Sequence, residues 1–150
     1  MELLINAEML KLKEAYSRSQ IPIDFLVHCL MEIPSANFDE DTSNKYIVDF
    51  AESRGTLTNL LHTADMAVLV TSRTSHEGLH GEAFVDQLAI QEVYGAGPVA
   101  WIRHGVGWDT LAHEIGHIFG AYHDDQLGNK GDEFAYGYLI PGTEYGTIMT

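Results

Sequence analysis

The sequence is poor in the residues that mark several large classes of protein. It contains a single cysteine, Cys29, so a disulfide within the chain is excluded. Lys and Arg total 8 against 22 Asp and Glu, and no basic cluster offers the contacts that nucleic-acid phosphates require. No apolar run approaches the ~20 residues of a membrane-spanning helix. We therefore expect neither nucleic acid nor a membrane among the partners of this chain.

What the sequence does contain is typical of one globular domain. It is 45% hydrophobic and 20% charged over 150 residues, enough to bury a core, so we predict a single domain over residues 1–150. A monomer is expected, although nothing in the sequence indicates the oligomeric state. The first residues, MELLINAEMLKLKEAY, lack the basic segment and long apolar core of a signal peptide. Cys29 lies in the apolar run IDFLVHCLMEI and is predicted to be a small buried side chain, not a reactive thiol.

Periodicity in the first half predicts alternating helices and strands. An apolar stripe at Ile5, Met9, Leu12 and Tyr16 predicts a helix over 3–18. Three more elements are predicted: a strand after Pro22 at 23–33, a helix at 44–62, and a strand covered on both faces at 65–72. This order predicts parallel strands joined by helical crossovers.

The second half is predicted to hold two further strands and one helix. The strands are expected at 80–86 and 98–103. The helix should begin at Asp109 or Thr110, either of which can act as its N-cap, and should end near Gly120. The remaining residues show no helical period and many turn residues.

The pattern His-Glu-x-x-His, by which many zinc hydrolases hold their metal, occurs twice, as HEGLH at 76–80 and HEIGH at 113–117. On a helix, its two histidines share one face and can reach the same zinc ion. On a strand, the two histidines lie ~13 Å apart and cannot share a metal. The structural context of each copy therefore decides whether it can bind zinc.

The first copy has a context that disfavours a helix. Gly78 lies within it, Gly81 follows it directly, and strand candidates flank it. We predict exposed loop and strand positions for His76 and His80. The alternative is a different zinc hydrolase in which these two histidines and a distant acid such as Glu92 bind the metal, and it requires a helix at this copy.

The second copy lies in a predicted amphipathic helix and extends beyond five residues. Its core-facing side is predicted to consist of four apolar residues, Leu111, Ile115, Ile118 and Phe119. Gly120 follows His117 by three residues, and His123 follows Gly120 by three more. A catalytic zinc needs three protein ligands and one open position, so the chain must bend after the helix, and glycine permits that bend. We predict that His113, His117 and His123 bind one Zn²⁺ ion.

The extended pattern His-Glu-x-x-His-x-x-Gly-x-x-His resembles the signature of the metzincin zinc endopeptidases. Asp124 after the third histidine is most similar to the reprolysin (adamalysin-like) branch, and the lack of a disulfide pattern is similar to its bacterial members. The segment GTIMT resembles the methionine turn, with Met149 as an apolar floor beneath the metal. The segment GEAFV, at 81–85, resembles the edge strand, whose Gly81 and Ala83 would lie along the substrate.

This resemblance implies an α+β, zincin-like fold. The expected architecture is a twisted, mostly parallel sheet with an antiparallel edge strand, flanking helices and an active-site helix, and a chain ending at the methionine turn. Relative to the family pattern, a first strand before residue 3 and a C-terminal helix are not visible in the sequence.

The resemblance also implies a reaction: hydrolysis of peptide bonds in a protein or peptide substrate, with Glu114 as the general base acting on a zinc-activated water. It suggests a secreted, extracellular protein. A branch that cleaves near aspartate exists in the family, although the acidic composition gives no support for it. The alternative is a module that binds zinc without proteolysis. The acidic stretch HDDQLGNKGDE could bind calcium through Asp124, Asp125 or Asp132, but this alternative is unsupported because the stretch lacks the spacing of a known calcium loop.

Overall fold

A computed structural model describes residues 2–32, 64–72, 80–85, 98–124 and 135–150. Within these ranges the chain forms two helices and three strands: α1 (Glu2–Arg18), β1 (Ala67–Thr71), β2 (Gly81–Ala83), β3 (Val99–Arg103) and α2 (Trp108–Ile118). The predicted helix at 44–62 lies outside the described residues. No described helix combines the length and the apolar character needed to cross a membrane.

The three strands form one mixed sheet in the order β1-β3-β2. β1 pairs with β3 in parallel, and β2 pairs with β3 antiparallel, so β2 is the predicted antiparallel edge strand within the described sheet. With one parallel and one antiparallel pair, the described sheet is mixed and not mostly parallel. The described elements, two helices and one mixed sheet, are compatible with the predicted α+β, zincin-like fold.

The central strand β3 is the most deeply buried of the three. Val99, Ala100 and Trp101 are 2% exposed or less, and the Trp101 indole Nε1 donates a hydrogen bond to Thr71 Oγ1 at 2.8 Å. In β1, by contrast, Leu69 is buried and the other four residues are half-buried, so β1 is less completely covered than its valine-rich sequence suggested. An apolar run shows that a strand can be buried, but the layers packed against the strand determine what fraction of its side chains is actually covered.

Helix α1 packs against α2 and supplies one wall of the core. Leu12, from the predicted apolar stripe, is fully buried in a cluster with Phe25, Leu111, Ala112 and Ile115. Two other members of the stripe, Met9 and Tyr16, pack against this cluster from its edge. The burial of several apolar side chains, at about 1.5–3 kcal/mol each, holds α1 against the helix that carries the histidines.

The predicted strand at 23–33 is wrong over its described part, because residues 21–32 form no β-ladder. Gln20 has φ +58°, Pro22 lacks a backbone N–H, and the Ile23 N–H donates to the Ile21 carbonyl in a tight turn. Phe25 is 7% exposed and packs edge-on against Tyr16, with ring centroids 4.9 Å apart. The segment is thus attached to the core by one aromatic ring and not by strand pairing.

Cys29 is also not where the sequence predicted it. It is exposed, and no disulfide involves it. Burial was expected from the apolar neighbours of Cys29, but several of them, including Leu26, Leu30 and Met31, are themselves about half exposed or more. Apolar composition alone therefore did not indicate burial in this segment.

Candidate metal centre

Helix α2 carries the second His-Glu-x-x-His copy and begins slightly earlier than predicted. Its N-cap is Gly107, in extended backbone with φ −72° and ψ 169°, and not Asp109 or Thr110. Asp109 instead lies in the first turn, where a negative charge interacts favourably with the helix dipole. Gly120 has φ +90°, the left-handed conformation that lets the chain bend after the helix.

The core-facing side of α2 agrees with the predicted pattern except at its end. Leu111, Ile115 and Ile118 are at most 6% exposed. Phe119, predicted to face the core, is 49% exposed because it is the C-cap residue, where the chain already leaves the helical path. Its ring lies at the core margin, 6.3 Å from that of Phe25 between centroids.

The three predicted zinc ligands come together on the other side of α2. His123 Nε2 lies 2.9 Å from His113 Nε2 and 3.0 Å from His117 Nε2. Two ligand atoms of a tetrahedral zinc site, each ~2.0–2.1 Å from the metal, lie roughly 3.3 Å apart. Among the described residues, this is the group of three whose ligand atoms are close enough to hold a metal ion.

Backbone carbonyl groups orient two of these rings. His113 Nδ1 donates to the Ile148 carbonyl at 2.6 Å, and His117 Nδ1 donates to the Ala121 carbonyl at 2.7 Å. Since a carbonyl oxygen only accepts, each Nδ1 carries the proton and each neutral ring has its lone pair on Nε2. Such contacts fix the tautomer and direction of metal-binding histidines. Neither carbonyl was predicted, because backbone groups leave no signal in the sequence.

The electrostatics of His117 also favour the neutral, metal-binding form. Burial lowers the pKa of the His117 imidazole to about 4; the Ala121 carbonyl opposes this shift, and His113 and His123 add to it. The Nε2 lone pairs of two rings thus converge on the third ring, and a neutral His123 can donate only one proton toward them. A cation satisfies all three nitrogens together, so the donor set fits Zn²⁺.

Met149 packs against α2 close to this group, and its role as the floor of a methionine turn stays a prediction. It is 6% exposed, and a Cβ atom placed on Gly116 would come within 2.5 Å of its sulfur. The missing side chain at Gly116 therefore lets the Met149 thioether pack directly on the helix backbone, between the positions of His113 and His117. The preceding residue, Ile148, supplies the carbonyl that orients His113.

Glu114, the acid of the second His-Glu-x-x-His copy, is buried in α2. It is 4% exposed, and no described residue donates a hydrogen bond to its Oε2. Burial, together with the negative charge of Glu82, raises the pKa of the Glu114 carboxyl to about 8. A bound divalent cation would act in the opposite direction and favour the carboxylate.

Of the first motif copy, the structure describes His80, which is not part of this group. His80 is exposed, in agreement with its prediction, while His76 and Glu92 lie outside the described residues. His28 and His104 are exposed as well. Asp125 and Asp132, the acids considered for calcium, also fall outside the described ranges, so the calcium expectation stays untested.

Gly137 is a residue of the site that the sequence analysis missed. It is buried; its N–H donates to the Tyr122 carbonyl at 2.8 Å, and a Cβ atom there would lie 2.7 Å from the Met149 carbonyl carbon and 3.1 Å from the Asp124 nitrogen. Gly137 thus lies between the segment of His123 and Asp124 and the backbone of Met149. The sequence contained an indication of this role. In AYGY the glycine lies between two tyrosines, and no adjacent residue is of a type that favours a turn, so a turn does not explain the glycine.

We expect Gly137→Ala to destabilise the fold and the histidine group together. The added methyl group meets backbone atoms that cannot rotate away, and overpacking of this kind costs about 1–3 kcal/mol. For a chain of this length, this corresponds to a fall in melting temperature of roughly 2–10 °C, measurable by calorimetry. Gly142→Ala is not a suitable control because its φ is +78°. An unchanged melting temperature would contradict the close packing at Gly137.

Comparison with known proteins agrees with the geometry. The model of metallo-peptidase family M12 matches residues 3–150. A peptidyl-Asp metalloendopeptidase from Xanthomonas campestris pv. campestris is 33% identical to this chain over 110 residues, which is 72% of this chain and 24% of the relative. The chain therefore spans about a quarter of the length of that relative.

Proposed function

The chain belongs to metallo-peptidase family M12, and on this basis we propose that it is a zinc-dependent endopeptidase acting on protein or peptide substrates. The observation that carries the proposal is the convergence of three histidine Nε2 atoms, two of them from the helix that also carries the buried Glu114. Family membership and the metalloendopeptidase relative support hydrolysis as the reaction class.

The proposed roles follow from the chemistry of each side chain. The zinc ion is held by the unprotonated Nε2 atoms of three neutral imidazole rings, those of His113, His117 and His123. When bound, the ion supplies Lewis-acid polarisation of the peptide carbonyl and increases the acidity of water. Glu114 accepts a proton from the attacking water and delivers it to the leaving amine, as a general base and then a general acid. Met149 and Gly120 shape the site without touching the substrate: Met149 as the floor and Gly120 as the bend that returns His123.

The edge strand β2 is the proposed binding site for the substrate backbone. Gly81 and Ala83 lie in this strand, which pairs with β3 along one side and is adjacent to the helix that carries Glu114. An extended peptide can add to the edge of a sheet through main-chain hydrogen bonds. This arrangement would hold a peptide bond across the histidine group.

The proposal is tested by removing and restoring the metal. We expect the zinc-loaded chain to cleave an unfolded protein such as reduced, alkylated casein, to lose this activity with 1,10-phenanthroline, and to regain it with Zn²⁺ but not with Ca²⁺. The physical reason is that the ligand set consists of three nitrogens, which suit zinc, whereas calcium takes oxygen ligands. Cleavage is followed by mass spectrometry of the products.

The same experiment separates this function from its alternative. About one zinc ion per chain with no cleavage of any unfolded protein would identify a zinc-binding module without proteolysis. Paired peptides that differ only by Asp or Asn show whether this chain shares the preference in the name of its relative. The extracellular location and the monomeric state stay predictions.

A further inference from the structure

The position of β2 next to α2 is set by its pairing with the buried strand β3. Gly81 is opposite Ile102, and Ala83 is opposite Ala100. The Arg103 N–H also donates to the His80 carbonyl at 2.8 Å, which extends the pairing by one residue. Because side chains alternate along a strand, positions 81 and 83 face one side of the sheet and Glu82 faces the other. The two small residues of β2 therefore share one face.

Gly81 is directly against the side chain of Glu114. A Cβ atom at position 81 would lie 2.6 Å from Glu114 Oε1, 2.8 Å from its Cγ and 3.0 Å from its Cδ. Non-bonded carbon and oxygen atoms do not approach so closely. The Glu114 side chain therefore occupies the volume that the side chain of any other residue at position 81 would fill. Gly81 is not among the glycines with positive φ, so its backbone conformation does not require glycine. Glycine is required because Glu114 occupies the space of a side chain at this position.

The Glu114 carboxyl group is oriented by the atoms packed around it. Glu114 is 4% exposed, and within the described part of the chain its Oε2 receives no hydrogen bond. A buried carboxyl group that is not held by donors takes its direction from the surfaces that enclose it. One of these surfaces is the backbone of β2 at Gly81.

We propose that Gly81 is a positioning residue: its missing side chain leaves the slot that holds Glu114 in the direction required for proton transfer. This inference rests on the proposed peptidase function. It assigns to Gly81 a role distinct from pairing with substrate, since pairing would use its backbone and any residue has one. It also links the strand proposed to bind the peptide to the residue proposed to act on it.

The first test compares Gly81→Ala with wild type by steady-state kinetics on a quenched-fluorescent peptide, together with zinc content. We expect kcat to fall about 10–100-fold, because displacing a catalytic group by about 1 Å can cost that much. We expect KM to change less than about threefold, because the β2 backbone is kept, and zinc content to be unchanged. Gly107→Ala is the matched control, since its methyl group meets the exposed Asp109 carboxylate, which can rotate away. An unchanged kcat, or a loss confined to KM, would overturn the proposal.

The second test reads the contact without relying on activity. Melting temperatures are measured for wild type, Gly81→Ala, Glu114→Ala and the double variant, each with and without zinc. We expect Gly81→Ala to lower the melting temperature by about 3 °C or more when Glu114 is present, and by less than about 1 °C in the Glu114→Ala background, where the slot is free. Equal effects in both backgrounds would show that the two residues do not compete for space.

The two proposals fail in different ways. A zinc-loaded wild-type chain that cleaves no peptide would overturn the proposed function and, with it, the positioning role of Gly81. An active wild-type chain whose Gly81→Ala variant retains kcat and shows no coupling to position 114 would overturn the role of Gly81 alone. Loss of kcat with coupling in the melting temperatures supports both.

Discussion

Replacing Glu114 by glutamine is expected to lower kcat by roughly 10³-fold while about one zinc ion per chain stays bound, within the range for loss of a general acid or base. Glutamine has nearly the same shape, so it fills the slot beside Gly81, but its amide cannot accept the proton of the attacking water. The three histidine nitrogens are not altered. The measurement is kcat on a quenched-fluorescent peptide, with bound zinc determined on the same sample.

Glu8→Gln is the matched control for this substitution. Glu8 lies in α1 and, like Glu114, has a buried carboxyl oxygen that receives no hydrogen bond from the described residues. The control should therefore show the effect of neutralising a glutamate with a buried oxygen, together with the loss of its ion pair with Lys11, without affecting proton transfer. Cleavage by Glu114→Gln at the wild-type rate would remove Glu114 from the mechanism, and loss of zinc in that variant would indicate a metal-binding role instead.

The second large effect is expected at His117, where replacement by alanine should reduce bound zinc from about one ion per chain to nearly none. The remaining two histidines leave the metal with too few protein ligands, and the hydrogen bond to the Ala121 carbonyl is lost with the ring. Activity should disappear together with the metal. Zinc is measured by plasma mass spectrometry after dialysis against a buffer of micromolar free zinc.

His80→Ala is the comparison that distinguishes the two motif copies. His80 is exposed, and its carbonyl, which pairs with Arg103, is kept in the variant. We expect this variant to bind as much zinc as wild type. If His80→Ala lost the ion and His117→Ala kept it, the metal would belong to the first copy, and the convergence of histidines around α2 would need another explanation.

The parts of this fold that were predicted from the sequence are those governed by short-range patterns. The apolar stripe of α1 and the strand at 98–103 occur within a residue or two of their predicted positions. The segment at 23–33 failed because apolar content indicates only that a segment can be buried. Strand pairing also needs an available sheet edge, and a sequence of apolar residues contains no information about edges.

The sequence by itself determined which residues could form the candidate metal site. His113, His117 and Gly120 lie in one helix and the turn after it, so their spacing along the chain fixes their relative positions. Tertiary structure alone decided how these residues are held. Ile148 orients His113 across 35 residues of chain, and Gly81 meets Glu114 from another layer of the fold. The physical reason is that helix geometry and backbone bends depend on neighbouring residues, whereas close packing depends on segments that meet only after the chain has folded.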